Sequence, residues 1–251
     1  MSHPLNILRD ALEAHVEIHG PFDLLGDSVA AAPTSEPVRT ESPVMTPYDR
    51  ILALIPEDSP VRSLSTLEEL EAWVAEARLI ELDETRINPV FGVGNPEADL
   101  MVIGEAPGAD EDQQGEPFVG RAGQLLTKIL QAIGFEREDV YIANILKSRP
   151  PNNRDPRPDE VAAHVPILHR QMTLIRPRIL LCVGKTAGNS LLGQNASLKS
   201  MRGGFQDFHG LETVVTYHPA ALLRNPHWKR PCWEDVQRLR ERYDELTGVE
   251  A

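Results

Sequence analysis

The chain is short of cysteine, short of positive charge and without long apolar runs. It has 2 cysteines in 251 residues. Cys182 lies in an apolar, strand-like run and Cys232 in a helical pattern, so both read as unpaired, buried thiols rather than a disulfide framework. No apolar run approaches the roughly 20 residues that span a bilayer, so no membrane contact is expected. Met1-Ser2-His3-Pro4 carries neither the basic nor the apolar pattern of a secretory leader, and a cytoplasmic location is expected. The formal net charge is −13, which on its own argues against a nucleic-acid partner. Its distribution weakens that argument. Residues 1–86 hold 6 Lys+Arg against 17 Asp+Glu, whereas the other 165 hold 19 against 21. Two stretches, Asn144 to Arg154 and Tyr217 to Arg230, carry basic residues and no acid. Charge beyond about 10 Å is screened by salt, so what lies next to a phosphate matters more than the total.

Hydrophobic residues make up 41% of the chain and charged residues 25%, enough for one sizeable core with extensions. Leu5, Leu8, Leu12 and Val16 recur at helical spacing, so residues 1–26 read as a helical N-terminal extension. Residues 27–48 read as a flexible linker, which leaves 49–251 as the main globular domain. Pro21-Phe22-Asp23-Leu24-Leu25 reads as a hydrophobic tail that folds back or has no role, with a short docking peptide for a protein partner as the alternative. Ser65-Thr66-Leu67-Glu68 reads as a capping box, followed by the apolar stripe Leu67, Leu70, Trp73 and Val74. Beyond it, apolar runs at 100–103, 140–143, 179–183 and 213–217 alternate with helical patterns at 122–133, 158–176, 185–192 and 232–246. That alternation predicts an α/β fold in three layers, α/β/α, with a central four-stranded parallel sheet.

The most informative stretch follows the first of these strands. Gly104-Glu105-Ala106-Pro107-Gly108 is followed by Glu111-Asp112 and by Pro117-Phe118-Val119-Gly120, and then by a helix. Loops at the carboxyl ends of parallel strands are where such sheets bind ligands, and the glycines permit close backbone approach. This string resembles the first signature of the family 4 uracil-DNA glycosylases. His218-Pro219-Ala220-Ala221-Leu222-Leu223-Arg224 resembles the second. The resemblance runs from about Arg86 to about Arg240 and implies a glycosylase fold and a monofunctional hydrolase of base excision repair. Such an enzyme flips uracil from single- or double-stranded DNA and leaves an abasic site. A monomer is expected.

The resemblance assigns the residues, and each also has a plainer reading. Phe118 is to stack on uracil; as a bare Phe after Pro it reads as core. Asn144, at a strand end, is to pair with uracil N3–H and O4, where cytosine offers the reverse pattern; as a bare Asn it reads as a turn cap. His218 is to donate to uracil O2 as negative charge builds there; otherwise it is structural. Ala106, Pro107 and Gly108 complete the base site. Glu105 is the favoured carboxylate for the water and for excluding the thymine methyl, with Glu111 either assisting or capping the next turn. Leu222 or Leu223 is to fill the hole left by the flipped base; the alternative is core packing. Lys147, Arg149 and Arg224 are the candidate phosphate contacts.

One departure is plain. The family usually carries a four-iron, four-sulfur cluster on four cysteines. Here Ala77, Ile80, Ser148 and His164 stand at the matching positions. No cluster and no metal are expected, and apolar packing around Leu79, Ile80 and Leu82 is expected to hold that region instead. Two other classes compete with the glycosylase: a protein that binds uracil or damaged DNA without cutting, and a nucleotide-binding α/β domain. The joint presence of Glu105, Phe118, Asn144 and His218 speaks against the first. The second lacks any Walker or dinucleotide pattern.

Overall fold

The computed structural model describes residues 45–248; the readings made for residues 1–44, the docking peptide among them, lie outside the described residues. The elements, in chain order, are α1 (Pro47–Ala53), α2 (Leu67–Glu76), α3 (Glu81–Glu84), β1 (Val93–Gly94), β2 (Leu100–Gly104), α4 (Ala109–Gln114), α5 (Arg121–Ala132) and β3 (Tyr141–Asn144). They continue with α6 (Pro158–Ile175), β4 (Ile179–Val183), α7 (Lys185–Leu192), α8 (Leu198–Met201), β5 (Phe205–Phe208), β6 (Leu211–Thr216), α9 (Pro219–Arg224) and α10 (Lys229–Thr247). None of the described helices is long and apolar enough to cross a membrane.

The strands form a six-stranded sheet in the order β1-β3-β2-β4-β6-β5. The four parallel strands read from the sequence are its middle: β2 pairs in parallel with β3 and with β4, and β4 with β6. The two outer strands went unread. β1 and β5 are short and antiparallel to their neighbours.

β2 and β4 are buried along their whole length, as strands covered on both faces must be. Successive side chains point to opposite faces, so each strand feeds two cores. Leu100, Val102, Leu181 and Val214 pack with Leu126 and Leu130 of α5 and Val236 and Leu239 of α10. Met101, Ile103, Leu180 and Val215 pack on the other side with Leu168 and Met172 of α6 and Ala187 and Leu191 of α7. A satellite core of Ile55, Val61, Leu70, Val74, Phe91 and Ile167 holds α2 beside α6.

Two local readings shift. α1 starts at Pro47, inside the stretch expected as linker, and Thr46 caps it in a reciprocal box with Asp49. The cap of α2 is Thr66, not Ser65: its hydroxyl accepts from the Glu69 N–H, and Glu69 reaches back to the Ser65 N–H. The register moved by one residue because Leu67, Leu70 and Val74 must face the satellite core, which fixes the helical phase.

Candidate active site

The carboxyl ends of β2, β3 and β6 open into a cleft of about 660 Å³. Among its lining residues are Glu105, Ala106, Pro107, Gly108, Phe118 and Asn144. From the far side it is closed by His218, Leu223 and Arg224. The sequence order of these residues is scattered, and the sheet gathers them at one edge. Gly104 and Asn144 are register partners on β2 and β3. A Cβ on Gly104 would lie 2.3 Å from Asn144 Oδ1 and 2.5 Å from Phe118 Cζ. The glycine therefore makes room for the amide and the ring to meet on the cleft floor.

Phe118 is 6% exposed and sits at φ +56°, a conformation bulky residues rarely adopt. Three features hold it there. Arg137 donates to the carbonyls of Pro117 (3.0 Å) and Phe118 (3.3 Å). Gly123 lets α5 approach so closely that a Cβ would lie 1.7 Å from the Phe118 oxygen. Glu111 accepts from the N–H groups of Val119 and Gly120, both at 3.0 Å, and from that of Gly108 at 3.1 Å. Of the two sequence alternatives for Glu111, the geometry favours the cap: the carboxylate ties the two halves of the loop together.

Asn144 is 2% exposed and its Oδ1 has no hydrogen-bond partner among the described residues. A buried acceptor left without a partner costs roughly 1–3 kcal/mol, and a ligand donor would remove that cost. His218 caps α9, with its Nδ1 accepting from the Ala220 N–H at 3.2 Å. That bond leaves the proton of the neutral ring on Nε2. Burial, helped by Arg224, lowers its pKa to about 4, with Glu111 opposing. The ring lies 5.7 Å from that of Phe118. The cleft thus offers a flat apolar wall, a free amide acceptor and a neutral N–H donor. Burial also raises the pKa of Glu105, against a hydrogen bond from Thr186 that lowers it.

Three expected DNA contacts are not at the cleft. Lys147 is wholly buried, with Nζ donating to the carbonyls of Phe91 (3.1 Å) and Asn144 (2.9 Å) and to Gln171 Oε1 (2.7 Å). Burial lowers its pKa to about 7; it is a structural amine and touches no phosphate. Leu222 is 1% exposed, whereas Leu223 is 40% exposed on the cleft rim. The helical phase of α9 thereby separates core leucine from rim leucine. Arg149 is bonded to Asn153 at 2.8 Å and does not line the cleft; Arg224 does. Sequence reasoning missed the wall built by Pro150, Asn153, Arg154 and Asp155. Its signal was Pro-Asn-Asn, a turn in which Asn152 and Asn153 take φ +56° and +53°.

The four positions matching the cluster cysteines do not suit one. Ala77 and Ile80 have no donor side chain, and the two others are already engaged. The Ser148 hydroxyl donates to Asp83 Oδ1 at 2.5 Å, and His164 Nε2 lies 3.1 Å from the same oxygen. Burial raises the pKa of Asp83, but the His164 and Ser148 hydrogen bonds outweigh it and hold the carboxyl below its ordinary value. Among the described residues no group of three or more His, Cys, Asp or Glu is arranged to hold a metal ion. The apolar packing expected here is found in part: Leu82 is buried in the core and Ile80 packs against it, whereas Leu79 is 41% exposed and the polar groups of Asp83, Ser148 and His164 are buried beside them.

Comparison with known proteins bears on the cleft. The family model described as the uracil DNA glycosylase superfamily matches residues 91–237. The chain is 39% identical over 186 residues to the type-4 uracil-DNA glycosylase of Archaeoglobus fulgidus, covering 71% of this chain and 94% of that one. It is 41% identical over 183 residues to the type-4 enzyme of Thermotoga maritima, covering 70% and 95%. Similarity to the type-5 uracil-DNA glycosylase of Thermus thermophilus is lower, 30% over 150 residues, 52% of this chain and 68% of that one.

Proposed function

The chain belongs to the uracil-DNA glycosylase superfamily, in its type-4 branch, and hydrolyses the bond between uracil and deoxyribose in DNA; we propose that it does so with no iron–sulfur cluster, through the cleft residues described above. The carrying observation is the unpartnered, buried Oδ1 of Asn144 facing Phe118 across the gap at Gly104. Uracil stacked on Phe118 presents N3–H to that oxygen and O4 to the amide N–H. Cytosine, with an acceptor at N3 and a donor at N4, meets the wrong pattern at both.

Bond breaking puts negative charge on the departing base. His218, neutral and with its proton on Nε2, donates to uracil O2 without first having to lose a charge. Glu105 places the water, while Glu111 holds the loop rigid. Leu223 occupies the space the base leaves and Arg224 meets phosphate. Ala106, Pro107 and Gly108 shape the base site by backbone. The catalytic domain begins at Met45, ahead of the capped helix α1, and the segment before it is where a replication or repair partner would dock.

The test is excision from a labelled oligonucleotide with one uracil, single-stranded and opposite guanine or adenine. His218→Ala is expected to lower kcat by about 10²- to 10³-fold. Asn144→Ala should raise cleavage of cytosine relative to uracil as well as slow the reaction. Undiminished uracil excision in both variants would remove this assignment of the cleft.

A further inference from the structure

All four residues standing at the cluster positions touch one buried ion pair. The Ile80 N–H donates to Asp83 Oδ2 at 3.2 Å, and the Ala77 carbonyl accepts from Arg86 Nη2 at 3.0 Å. Ser148 and His164 meet Asp83 Oδ1 as given above, and Arg86 Nη1 lies 3.5 Å from the same oxygen and donates to Ser148 Oγ at 3.2 Å. The Leu79 N–H adds another donor to Oδ2 at 2.8 Å. The Asp83 and Arg86 side chains are 1% and 3% exposed. Every one of these partners comes from a segment that the pair joins: the end of α2 and the turn into α3, the loop after β3, and α6.

The pair is also wired to the cleft. His164 Nδ1 accepts from the Lys147 N–H at 3.0 Å. That nitrogen therefore carries no proton, and the Nε2 proton faces Asp83. Lys147 in turn holds the Asn144 carbonyl through Nζ. The order Asp83, His164, Lys147, Asn144 runs, through hydrogen bonds and the length of the Lys147 side chain, from the pair to the main-chain carbonyl of the residue whose amide lies on the cleft floor. It is not a nucleophilic triad, because His164 faces the carboxylate rather than the Ser148 hydroxyl, and all three side chains are sealed from solvent.

We propose that Asp83 and Arg86, clasped by Ser148 and His164, form an all-protein lock that replaces a metal cross-link, and that Ser148 and His164 are positioning residues for Asn144. The second half of the proposal rests on the reading of Asn144 as the residue that pairs with the uracil edge. A buried ion pair loses its balance when one member is removed, so the lock behaves as a unit.

The experiment uses the full chain and measures urea unfolding, uracil excision and affinity for free uracil. Wild type is expected to unfold at the same urea concentration with and without a strong iron chelator. Ser148→Ala and His164→Gln should each favour unfolding, with the double variant departing from the product of the two by about tenfold. Asp83→Asn should shift the unfolding constant by roughly 10²-fold or more; should it not fold, the Ser148 and His164 variants still decide. At a temperature where both are fully folded, they should bind free uracil several-fold more weakly, a change that a purely stabilising role would not produce. A chelator-sensitive wild type, independent effects at Ser148 and His164, or unaltered uracil affinity would each overturn the proposal. Asn144→Ala runs alongside: if it excises and binds uracil like wild type, the reading of Asn144 fails, while the coupling between Ser148 and His164 stands or falls separately.

Discussion

Single residues here sort by which way a side chain points, and two adjacent leucines show it. Leu222 is packed among α5 and α10 side chains, so Leu222→Ala should cost about 2–5 kcal/mol of stability. Leu223 is on the rim, so Leu223→Ala should leave the unfolding midpoint nearly unchanged. It should slow excision from a duplex more than from a single strand, because only in a duplex is there a stack to fill. Equal effects of Leu223→Ala on the two substrates would contradict the wedge role. Glu105 gives a prediction in pH. Burial raises its pKa above 4.5, and the ionised form is the one that can orient a water. Activity should therefore fall on the acid side at a higher pH than an ordinary glutamate would set, and Glu105→Gln should lose that limb of the pH–rate profile. A limb unchanged in the variant would assign it to another group.

At the scale of elements, the loop from β2 to α5 is a strained turn kept in place by its neighbours. Strain at a non-glycine positive φ costs on the order of 1 kcal/mol or more, and Arg137, Glu111 and Gly123 hold it. Gly123→Ala would force α5 away from Phe118, so a loss of stability together with a weaker grip on free uracil is expected, both read by titration of the folded variant. Uracil binding intact in a destabilised Gly123→Ala would detach the ring's placement from the helix. The sequence carried the central strands and long helices well, since continuous apolar runs such as Leu100–Ile103 and the stripes of α5 and α6 are local signals. It carried the outer strands poorly: β1 has two residues, and β5 leaves Phe205 38% exposed, so neither shows a buried-strand pattern. Lys147 was misread for a different reason. A lysine in a basic stretch looks like a phosphate contact, and its acceptors on Phe91 and Gln171 come from other parts of the chain. The same distance in sequence hid Asp83 and Arg86, whose partners meet only in the folded state.

For the whole molecule, His169 and His218 set a pH dependence of stability. Burial lowers the pKa of His169 and of His218 to about 4 each, from an ordinary 6.5. The unfolded chain therefore binds protons between pH 6.5 and about 4 that the folded chain refuses. Stability from this source is full above pH 6.5 and is lost as pH falls toward 4, by at most about 1.4 kcal/mol per pH unit for each histidine. Urea midpoints at pH 7 and pH 5 test it, and His169→Gln should flatten the slope; the same slope in that variant would count against His169. Finally, the short antiparallel strands that flank the parallel strands have a meaning apart from catalysis. A long, bare strand edge is a template on which other chains can add and grow into fibres. Here one margin is two residues long and the other four, too little for a neighbour to zip onto, so crowding in the cell finds no seam in this sheet from which to start a polymer.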